Sequence, residues 1–212
     1  MKGKSCILIG GGGHAKVLID VLKHNRYNII GYSALAPSDG GLFRELSYLG
    51  PNSSLDSYDD PEIYWVNGIG STGDQSKRKY IYEQEAGKGR IFPVLLHPTA
   101  YVASATMIGD GAQIMAGAVI QPGVNLGVNN IVNTRSMIDH DSVVGNHVHI
   151  SSGAVLCGSV YIEDEAHIGA GAIIKQGIRI GKGSVVGAGA VVVNDVKPGT
   201  TVVGVPAREV SR

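Results

Sequence analysis

The chain has 212 residues, and 18 Lys and Arg balance 18 Asp and Glu, so its formal net charge is zero. A protein that binds nucleic acid through phosphate contacts needs a basic excess, so we expect no nucleic-acid partner. No apolar run approaches the roughly 18 residues of a membrane span, which predicts no membrane segment. Glycine supplies 31 residues, about twice the usual share, and with 43% hydrophobic residues this indicates tight, repeated turns rather than disorder.

The cysteines and the N-terminal residues predict the compartment. Cys6 and Cys157 are too few for a disulfide framework and fit a reducing environment. Residues 1–4 lead into a five-residue apolar stretch that is too short for the core of a secretory signal. We therefore expect a cytoplasmic protein.

The first part of the chain alternates between apolar strands and helical patterns. The predicted elements are strands over residues 5–9, 29–32, 64–68 and 90–95, helices over residues 15–22 and 75–85, and a loop over residues 34–61. This alternation predicts a small parallel, Rossmann-like α/β domain over residues 1–95, which would bind the nucleotide sugar.

A run of four glycines, Gly10 to Gly13, follows the first strand and opens the first helix. The backbone N–H groups of such a loop can hold a phosphate, although a tight turn alone also needs glycine. No acidic residue follows the second strand to bind a ribose, which argues against an NAD site. The candidate nucleotide contacts are Gly11, Gly12, Gly13, His14, Tyr32, Ser33 and, after the third strand, Gly70.

From Val102 to Val192 every sixth residue is Val, Ile or Leu, without insertion. Neither the helical period of 3.6 nor the strand period of 2 gives a strict six. A parallel β-helix does, because each hexad forms one short face and one corner, and three hexads close one coil. The spacing predicts five or so coils over residues 96–212, with a C-terminal tail after Pro198. The period does not fix the hand, and the usual crossover rule favours a right-handed path.

His140 is the histidine that its neighbours single out, because Asp139 and Asp141 flank it. A carboxylate beside an imidazole raises its basicity, as a general base requires. Residues three hexads apart stack on neighbouring coils, so we expect Gly158 directly above His140, with its N–H close to a developing oxyanion. The alternative for this and every other histidine of the repeat is a solvated side chain on a coil face.

The same spacing stacks His149 on His167. Two stacked histidines could hold a metal ion, but we expect no metal in this protein. An unbroken register also leaves no loop that could form a lid over the prism. A pocket for a long thioester must then lie between neighbouring prisms, and a threefold axis would give three equivalent grooves. We therefore expect a homotrimer.

A glycine-rich Rossmann-like half followed by this repeat resembles the bacterial hexapeptide-repeat sugar acetyltransferases. That group includes the sialic acid O-acetyltransferases and the N-acetyltransferases of nucleotide-linked 4-amino sugars. The segments that carry the resemblance are residues 10–17, Leu96-His97-Pro98, residues 133–141 and Gly204-Val205-Pro206-Ala207. The resemblance implies a left-handed β-helix and acetyl-CoA as co-substrate. It also implies these roles: His140 as proton acceptor, Asp141 as the acid that raises its basicity, and His149, Ala170 and Ala188 as acetyl-CoA contacts.

The resemblance therefore implies N-acetylation of the C4 amine of a UDP- or dTDP-linked 4-amino-4,6-dideoxy sugar for surface glycan synthesis. The acetyl group is expected to pass directly to the amine, with His140 as general base. Many members of the group end the second strand with paired aspartates, whereas this chain has Tyr32-Ser33-Ala34-Leu35, which leaves the nucleotide open. Two alternatives remain: a sugar O-acetyltransferase of the sialic acid type, and a non-catalytic trimeric scaffold that binds a nucleotide.

Overall fold

The computed structural model describes residues 4–38 and 40–210, and the expectation about a secretory signal depends partly on residues 1–3, outside that range. The N-terminal domain forms a three-stranded parallel sheet in the order β2-β1-β3. Its elements are β1 (Ser5–Ile9), α1 (Gly13–His24), β2 (Asn28–Ser33), β3 (Tyr64–Asn67) and α2 (Ser76–Gly87). Two short 3₁₀ helices, Gly41–Glu45 and Asn52–Ser57, occupy part of the segment predicted as a loop.

The predicted fourth strand over residues 90–95 is wrong. Ile91 forms only an isolated bridge to Tyr64. Pro93 has no N–H group to donate to a ladder, so the strand cannot continue through it. Leu95 and Leu96 pair instead with the repeat, and the domain boundary between residues 95 and 96 stays a prediction.

The rest of the chain is a solenoid of very short parallel strands, closed by one antiparallel pair at its C-terminal end. The strands are β4 (Leu95–Leu96), β5 (Tyr101–Val102), β6 (Met107–Ile108), β7 (Gln113–Ile114), β8 (Val119–Ile120), β9 (Asn125–Leu126), β10 (Ile131–Val132), β11 (Met137–Ile138), β12 (Val143–Val144), β13 (His149–Ile150), β14 (Val155–Leu156), β15 (Tyr161–Ile162), β16 (His167–Ile168), β17 (Ile173–Ile174), β18 (Arg179–Ile180), β19 (Val185–Val186), β20 (Val191–Val192), β21 (Thr201–Val203) and β22 (Arg208–Val210).

Strand pairing confirms the six-residue register. Each strand from β4 to β17 pairs with the strand three hexads further on, as Ile131 does with His149 and His149 with His167. The aliphatic residues of the hexads from Ile114 to Val192 are at most 2% exposed and belong to one continuous core. The repeat therefore makes about six coils, because Leu95–Leu96 already belongs to it.

The solenoid has three faces. Face 1 has the strand order β22-β21-β19-β16-β13-β10-β7-β4, face 2 has β20-β17-β14-β11-β8-β5, and face 3 has β18-β15-β12-β9-β6. The N-terminal domain covers face 1, so Gln113, Ile131 and His149 are buried there although they point away from the core. The first corner joins face 1 to face 2, and the second corner joins face 2 to face 3.

The outward side chains of face 2 are all apolar and at least partly accessible, a ladder of Tyr101, Val119, Met137, Val155, Ile173 and Val191. An exposed apolar ladder of this length is unusual on a protein surface and is typical of a face that packs against another chain. Within the described residues, neither helix is long and apolar enough to span a bilayer.

Candidate functional site

A cavity of about 1130 Å³ lies between the N-terminal domain and the first corner of the solenoid. The carboxyl ends of β1, β2 and β3 open into it, as expected for a ligand site of a parallel sheet. On the solenoid side its wall includes Asn133, Thr134, His149 and Ser152. The cavity is large enough for a nucleotide-sized ligand.

The glycine loop forms one wall of this cavity. Gly12 caps α1 without any side-chain hydrogen bond, and the first turn contains no acidic residue. The helix therefore presents its first N–H groups, with their positive partial charge, to whatever occupies the cavity. A Cβ added at Gly12 or Gly13 would meet no atom within 4 Å, whereas one at Gly10 would lie 3.0 Å from the backbone of Gly68. Gly10 is thus required by packing, and Gly12 and Gly13 leave room for a ligand.

Six of the seven predicted nucleotide contacts line the cavity: Gly11, Gly12, Gly13, His14, Ser33 and Gly70. Tyr32 does not. Its side chain is 2% exposed and packs against Phe43 and Tyr48, because β2 turns it into the core of the N-terminal domain. Its hydroxyl accepts a hydrogen bond from the Ser38 N–H at 2.9 Å, so it supports a segment of the wall instead of touching a ligand.

His149 connects the cavity wall of the N-terminal domain to the solenoid. Its Nδ1 lies 3.1 Å from the Ser71 carbonyl oxygen, and its Nε2 lies 3.3 Å from the Asn133 amide nitrogen. Because the Asn133 amide nitrogen donates, Nε2 accepts and the proton is on Nδ1, which also lies 3.0 Å from the Ser71 hydroxyl. Burial lowers the pKa of His149 to about 3, and the charges of His167, His14 and Arg78 act in the same direction. His149 is therefore neutral and holds the Ser71 loop in place.

The two other predicted acetyl-CoA contacts lie on the same corner, further along the solenoid axis. Ala170 and Ala188 are exposed, one coil apart, and follow Thr134 and Ser152 in one vertical ladder. The Ala170 carbonyl accepts from the Gly189 N–H, and a Cβ on Gly169 would lie 2.5 Å from the Ala188 nitrogen. The ladder continues the corner beyond the cavity as a strip of exposed residues.

The predicted acid–base pair lies at the second corner. His140 Nδ1 is 2.9 Å from Asp141 Oδ2, and the two side chains are 51% and 69% exposed. The hydrogen bond to Asp141 raises the pKa of His140 above its usual value, and the charges of Asp139 and Asp141 add to this, against an opposing effect of desolvation. Nδ1 is thereby committed to the carboxylate, and Nε2 is the nitrogen available to a substrate.

The imidazole of His140 stacks on Gly158, as the three-hexad spacing predicts. A Cβ on Gly158 would lie 2.6 Å from His140 Nε2, so only glycine leaves the ring this position. The Ser159 N–H donates to the His140 carbonyl at 2.8 Å, which fixes the two coils relative to each other. His140 does not line the described cavity, and face 2 separates the two.

Searches against known proteins give two family matches and several full-length structural matches. Residues 5–84 match the PglD N-terminal domain, and residues 159–193 match the hexapeptide repeat of succinyl-transferase. The acetyltransferase domain of PglB from Neisseria gonorrhoeae FA1090 is 35% identical, covers 98% of this chain and 100% of that chain, and superposes with a TM-score of 0.91. The chain belongs to the hexapeptide-repeat sugar acetyltransferases. Its β-helix is accordingly left-handed, and the fold class expected from the sequence is confirmed.

The names of other members of the family state what those proteins bind or act on. PerB from Caulobacter crescentus, whose structure contains CoA and GDP-perosamine, is 29% identical over 98% of this chain and 97% of its own, with a TM-score of 0.90. Two curated relatives match over shorter segments. The GDP-perosamine N-acetyltransferase of Escherichia coli O157:H7 is 43% identical over 33% of this chain and 32% of its own length. The tetrahydropyridine-dicarboxylate N-acetyltransferase of Bacillus velezensis is 40% identical over 54% of this chain and 52% of its own, so the alignments span about half or less of these curated relatives.

A polar cluster buried between the two domains was missed by the sequence reasoning. Gln113 of β7 donates from its amide nitrogen to the Asn67 carbonyl at 2.8 Å and lies 2.8 Å from His14 Nε2 through its amide oxygen. The His14 proton is therefore on Nε2, and burial lowers the pKa of His14 to about 4. Arg78 of α2 lies in the same cluster. A polar residue at an outward hexad position, such as Gln113 between Leu95 and Ile131, is the one sequence signal that could have indicated it.

One potential cation cluster lies away from the cavity, between α1 and the start of the solenoid. Among the described residues, ligand atoms of Asp20, His24 and His97 come within 4.8 Å of one another. The Thr99 N–H, however, donates to His97 Nδ1 at 3.1 Å, and His24 Nδ1 is 3.0 Å from the Asp20 carbonyl. These bonds account for the arrangement without an ion, and the expectation that the protein uses no metal stays a prediction.

Proposed function

We propose that the chain is an acetyl-CoA-dependent N-acetyltransferase that acts on the C4 amine of a nucleotide-linked 4-amino-4,6-dideoxy sugar. The observation that carries the proposal is that the solenoid has one site at each end of face 2, at the first and at the second corner. One is a cavity closed by uncapped helix N–H groups, and the other is a histidine–carboxylate pair stacked on a glycine. Relatives named for sugar N-acetylation, one of them bound to CoA and a nucleotide-linked amino sugar, support the same activity.

The proposed reaction is a direct transfer. The C4 amine attacks the thioester carbonyl, His140 Nε2 removes a proton from the amine, and Asp141 stabilises the imidazolium. The oxyanion receives a hydrogen bond from the Gly158 N–H. When the C–S bond breaks, the proton passes to the departing thiolate, so the products are the acetamido sugar and coenzyme A. His149, Ala170 and Ala188 would lie along the acetyl-CoA molecule.

The proposed assembly is a homotrimer, because the two sites of one chain are separated by face 2. Among the described residues, the apolar ladder of that face stays accessible at Met137, Val155 and Ile173. A threefold arrangement that buries face 2 would set His140 of one copy beside the cavity of the next and would complete three equivalent sites. The protein would then serve surface glycan synthesis, with UDP or dTDP as the nucleotide, or GDP as in the perosamine relatives. The wall after β2 contains Ser33, Ala34 and Leu35 where many members of the family have paired aspartates.

The test is a thiol-release assay with acetyl-CoA and a panel of acceptors linked to UDP, dTDP, GDP and CMP, each as the 4-amino and the 4-hydroxy sugar. Release that requires the amine supports the proposal. Release only with hydroxy sugars would make the protein an O-acetyltransferase, and no release with any acceptor would leave a nucleotide-binding scaffold. Light scattering tests the assembly, and a monomer would overturn the shared site.

A further inference from the structure

Arg78 is a fully buried cation behind the wall of the cavity. Its side chain is 1% exposed, at the contact between α2, the loop after β3 and the solenoid. Nη1 donates to the carbonyl oxygens of Asn67 at 2.9 Å and Ile69 at 2.8 Å, and Nε donates to the carbonyl of Asn129 at 3.3 Å. All of its partners are neutral backbone carbonyls.

The charge of this guanidinium is not neutralised within the protein. Among the described residues no carboxylate forms an ion pair with Arg78, and its Nη2 is buried without a hydrogen-bond partner. Burying a charge without a counter-ion costs free energy. Such a charge is therefore expected where an anionic ligand binds from outside. The described lining of the adjacent cavity contains Lys77 and no Asp or Glu, so the cavity itself favours an anion.

The bond from Arg78 to Ile69 also fixes the direction of a peptide group in the cavity wall. In a trans peptide the C=O and N–H point in opposite directions, and the one cis peptide bond described is Val205–Pro206. Because the Ile69 carbonyl points inward to Arg78, the Gly70 N–H points the other way, towards the cavity that Gly70 lines. A Cβ on Gly70 would lie 3.0 Å from the Cβ of His14, so this N–H is adjacent to the start of α1.

We propose that Arg78 is a positioning residue for the diphosphate of the nucleotide-linked substrate: it turns the Gly70 N–H towards the phosphate oxygens and supplies the positive charge behind it. The diphosphate would be held between two sets of backbone N–H groups, those that begin α1 and that of Gly70. The inference rests on the proposed nucleotide substrate and adds a second half to its binding site. The competing explanation is that Arg78 only ties α2 to the solenoid through Asn129.

The experiment compares ligands that differ only in the diphosphate. Titration calorimetry measures the binding of UDP, GDP and dTDP, and of uridine, guanosine and thymidine, to the wild type and to Arg78→Met and Arg78→Lys. For whichever nucleoside diphosphate binds, Arg78→Met should weaken binding by about 10- to 100-fold, the range of one hydrogen bond to a charged group. It should leave the affinity for the matching nucleoside within about twofold, and Arg78→Lys should recover part of the loss.

Lys79→Met is the matched control, because Lys79 is the next residue of α2 and its ammonium is 3.0 Å from Glu165, away from the cavity. It should not change the ratio of diphosphate to nucleoside affinity. If Arg78→Met folds and keeps the wild-type ratio, the inference is overturned and Arg78 has only a structural role.

A measurement on the wild type can overturn the inference even if Arg78→Met does not fold. In protein labelled with ¹⁵N-glycine, the Gly70 amide proton should move downfield on addition of the nucleoside diphosphate or of inorganic pyrophosphate, and not on addition of the nucleoside. An unmoved Gly70 signal with a bound diphosphate overturns the inference and leaves the proposed function intact. A shift with pyrophosphate, when no nucleoside diphosphate binds, supports the anion site and contradicts the proposed nucleotide substrate. No response to either kind of ligand overturns both.

Discussion

The core of the solenoid and the contact region, where the N-terminal domain packs on face 1 through residues such as His14, Asn67, Gln113 and His149, bury their residues by different rules. In the solenoid, position in the hexad decides the environment, and the inward residues from Ile114 to Val192 are all aliphatic. The contact region buries polar side chains as well as apolar ones, and the polar ones partner one another across long sequence separations, as Gln113 does with His14 and Asn67. The repeat therefore fixes the distances between coils, and the contact region shapes the wall of the cavity.

The largest expected effect concerns a residue that the solenoid positions by its register. His140→Ala should lower kcat for acetyl transfer by roughly 10²- to 10⁴-fold, because it removes the proposed general base. The pKa of His140 is raised, and a general base must be unprotonated. Turnover of the wild type should therefore fall as the pH drops through a pKa above 6.5, and Asp141→Asn should move this limb to lower pH.

The matched control for this variant is His24→Ala. His24 is also an exposed histidine near a carboxylate, with Nδ1 3.6 Å from Asp20 Oδ2 and the side chain 52% exposed, but it lies in the N-terminal domain. It should keep the kcat and pH profile of the wild type. Full activity in His140→Ala would end the general-base assignment.

The second prediction tests whether hexad position sets stability as strictly as the pattern indicates. Ile162→Ala should lower the free energy of unfolding by about 2 to 5 kcal/mol, because it leaves a cavity in a core that cannot close around it. Met107 lies on the same face 3 but is 65% exposed, so Met107→Ala should cost less than about 1 kcal/mol. Denaturant titration of the two variants measures this difference, and equal losses would contradict the hexad rule.

The same contrast explains what the sequence could predict. The stack of His140 on Gly158 followed from the three-hexad spacing, because a repeat converts numbering into vertical distance. Tyr32 was expected in the cavity and lies behind its wall, since a strand residue next to a loop can face either side and only the packing of Phe43 decides. Arg78 could not be found at all: its bond to Asn129 joins residues 51 apart through domain docking, which no local pattern encodes.

The contact region should unfold at a higher pH than the solenoid when acid is added, because the contact region has buried histidines and the core of the solenoid is aliphatic. The pKa values of His14 and His149 are lowered to about 4 and about 3, so in the folded protein they stay neutral where unfolded chains, with a pKa near 6.5, take up protons. The stability they confer is complete above about pH 6.5 and is lost as the pH falls towards 3 to 4. At pH 5 the loss is about 2 kcal/mol for each histidine.

The single tryptophan, Trp65, is 1% exposed in the N-terminal domain, so its fluorescence reports on that region. On acid titration the Trp65 signal should change at higher pH than the far-ultraviolet signal of the solenoid. His149→Gln, whose side-chain amide cannot be protonated in this range, should shift the Trp65 transition to lower pH. Coincident transitions in the wild type would contradict a separate acid sensitivity of the contact region.

The smallest expected effect comes from the ion pair that joins the two regions at the surface. Lys79 Nζ lies 3.0 Å from Glu165 Oε1, with 29% and 23% of the side chains exposed, and Lys182 Nζ lies 3.2 Å from the same oxygen. Lys79→Met should lower the free energy of unfolding by less than about 1 kcal/mol, because water and Lys182 continue to solvate the carboxylate.

Denaturant titration at low and high salt measures this effect, and even the small difference from the wild type should shrink as salt screens the pair. Lys23→Met is the control, since it removes an exposed ion pair with Glu45 inside the N-terminal domain and should cost as little. A loss several times larger than the control's for Lys79→Met would mean that surface charge holds the domains together. A small loss leaves that role to the buried polar cluster, in which Arg78, one residue further back on α2, forms three hydrogen bonds out of contact with water.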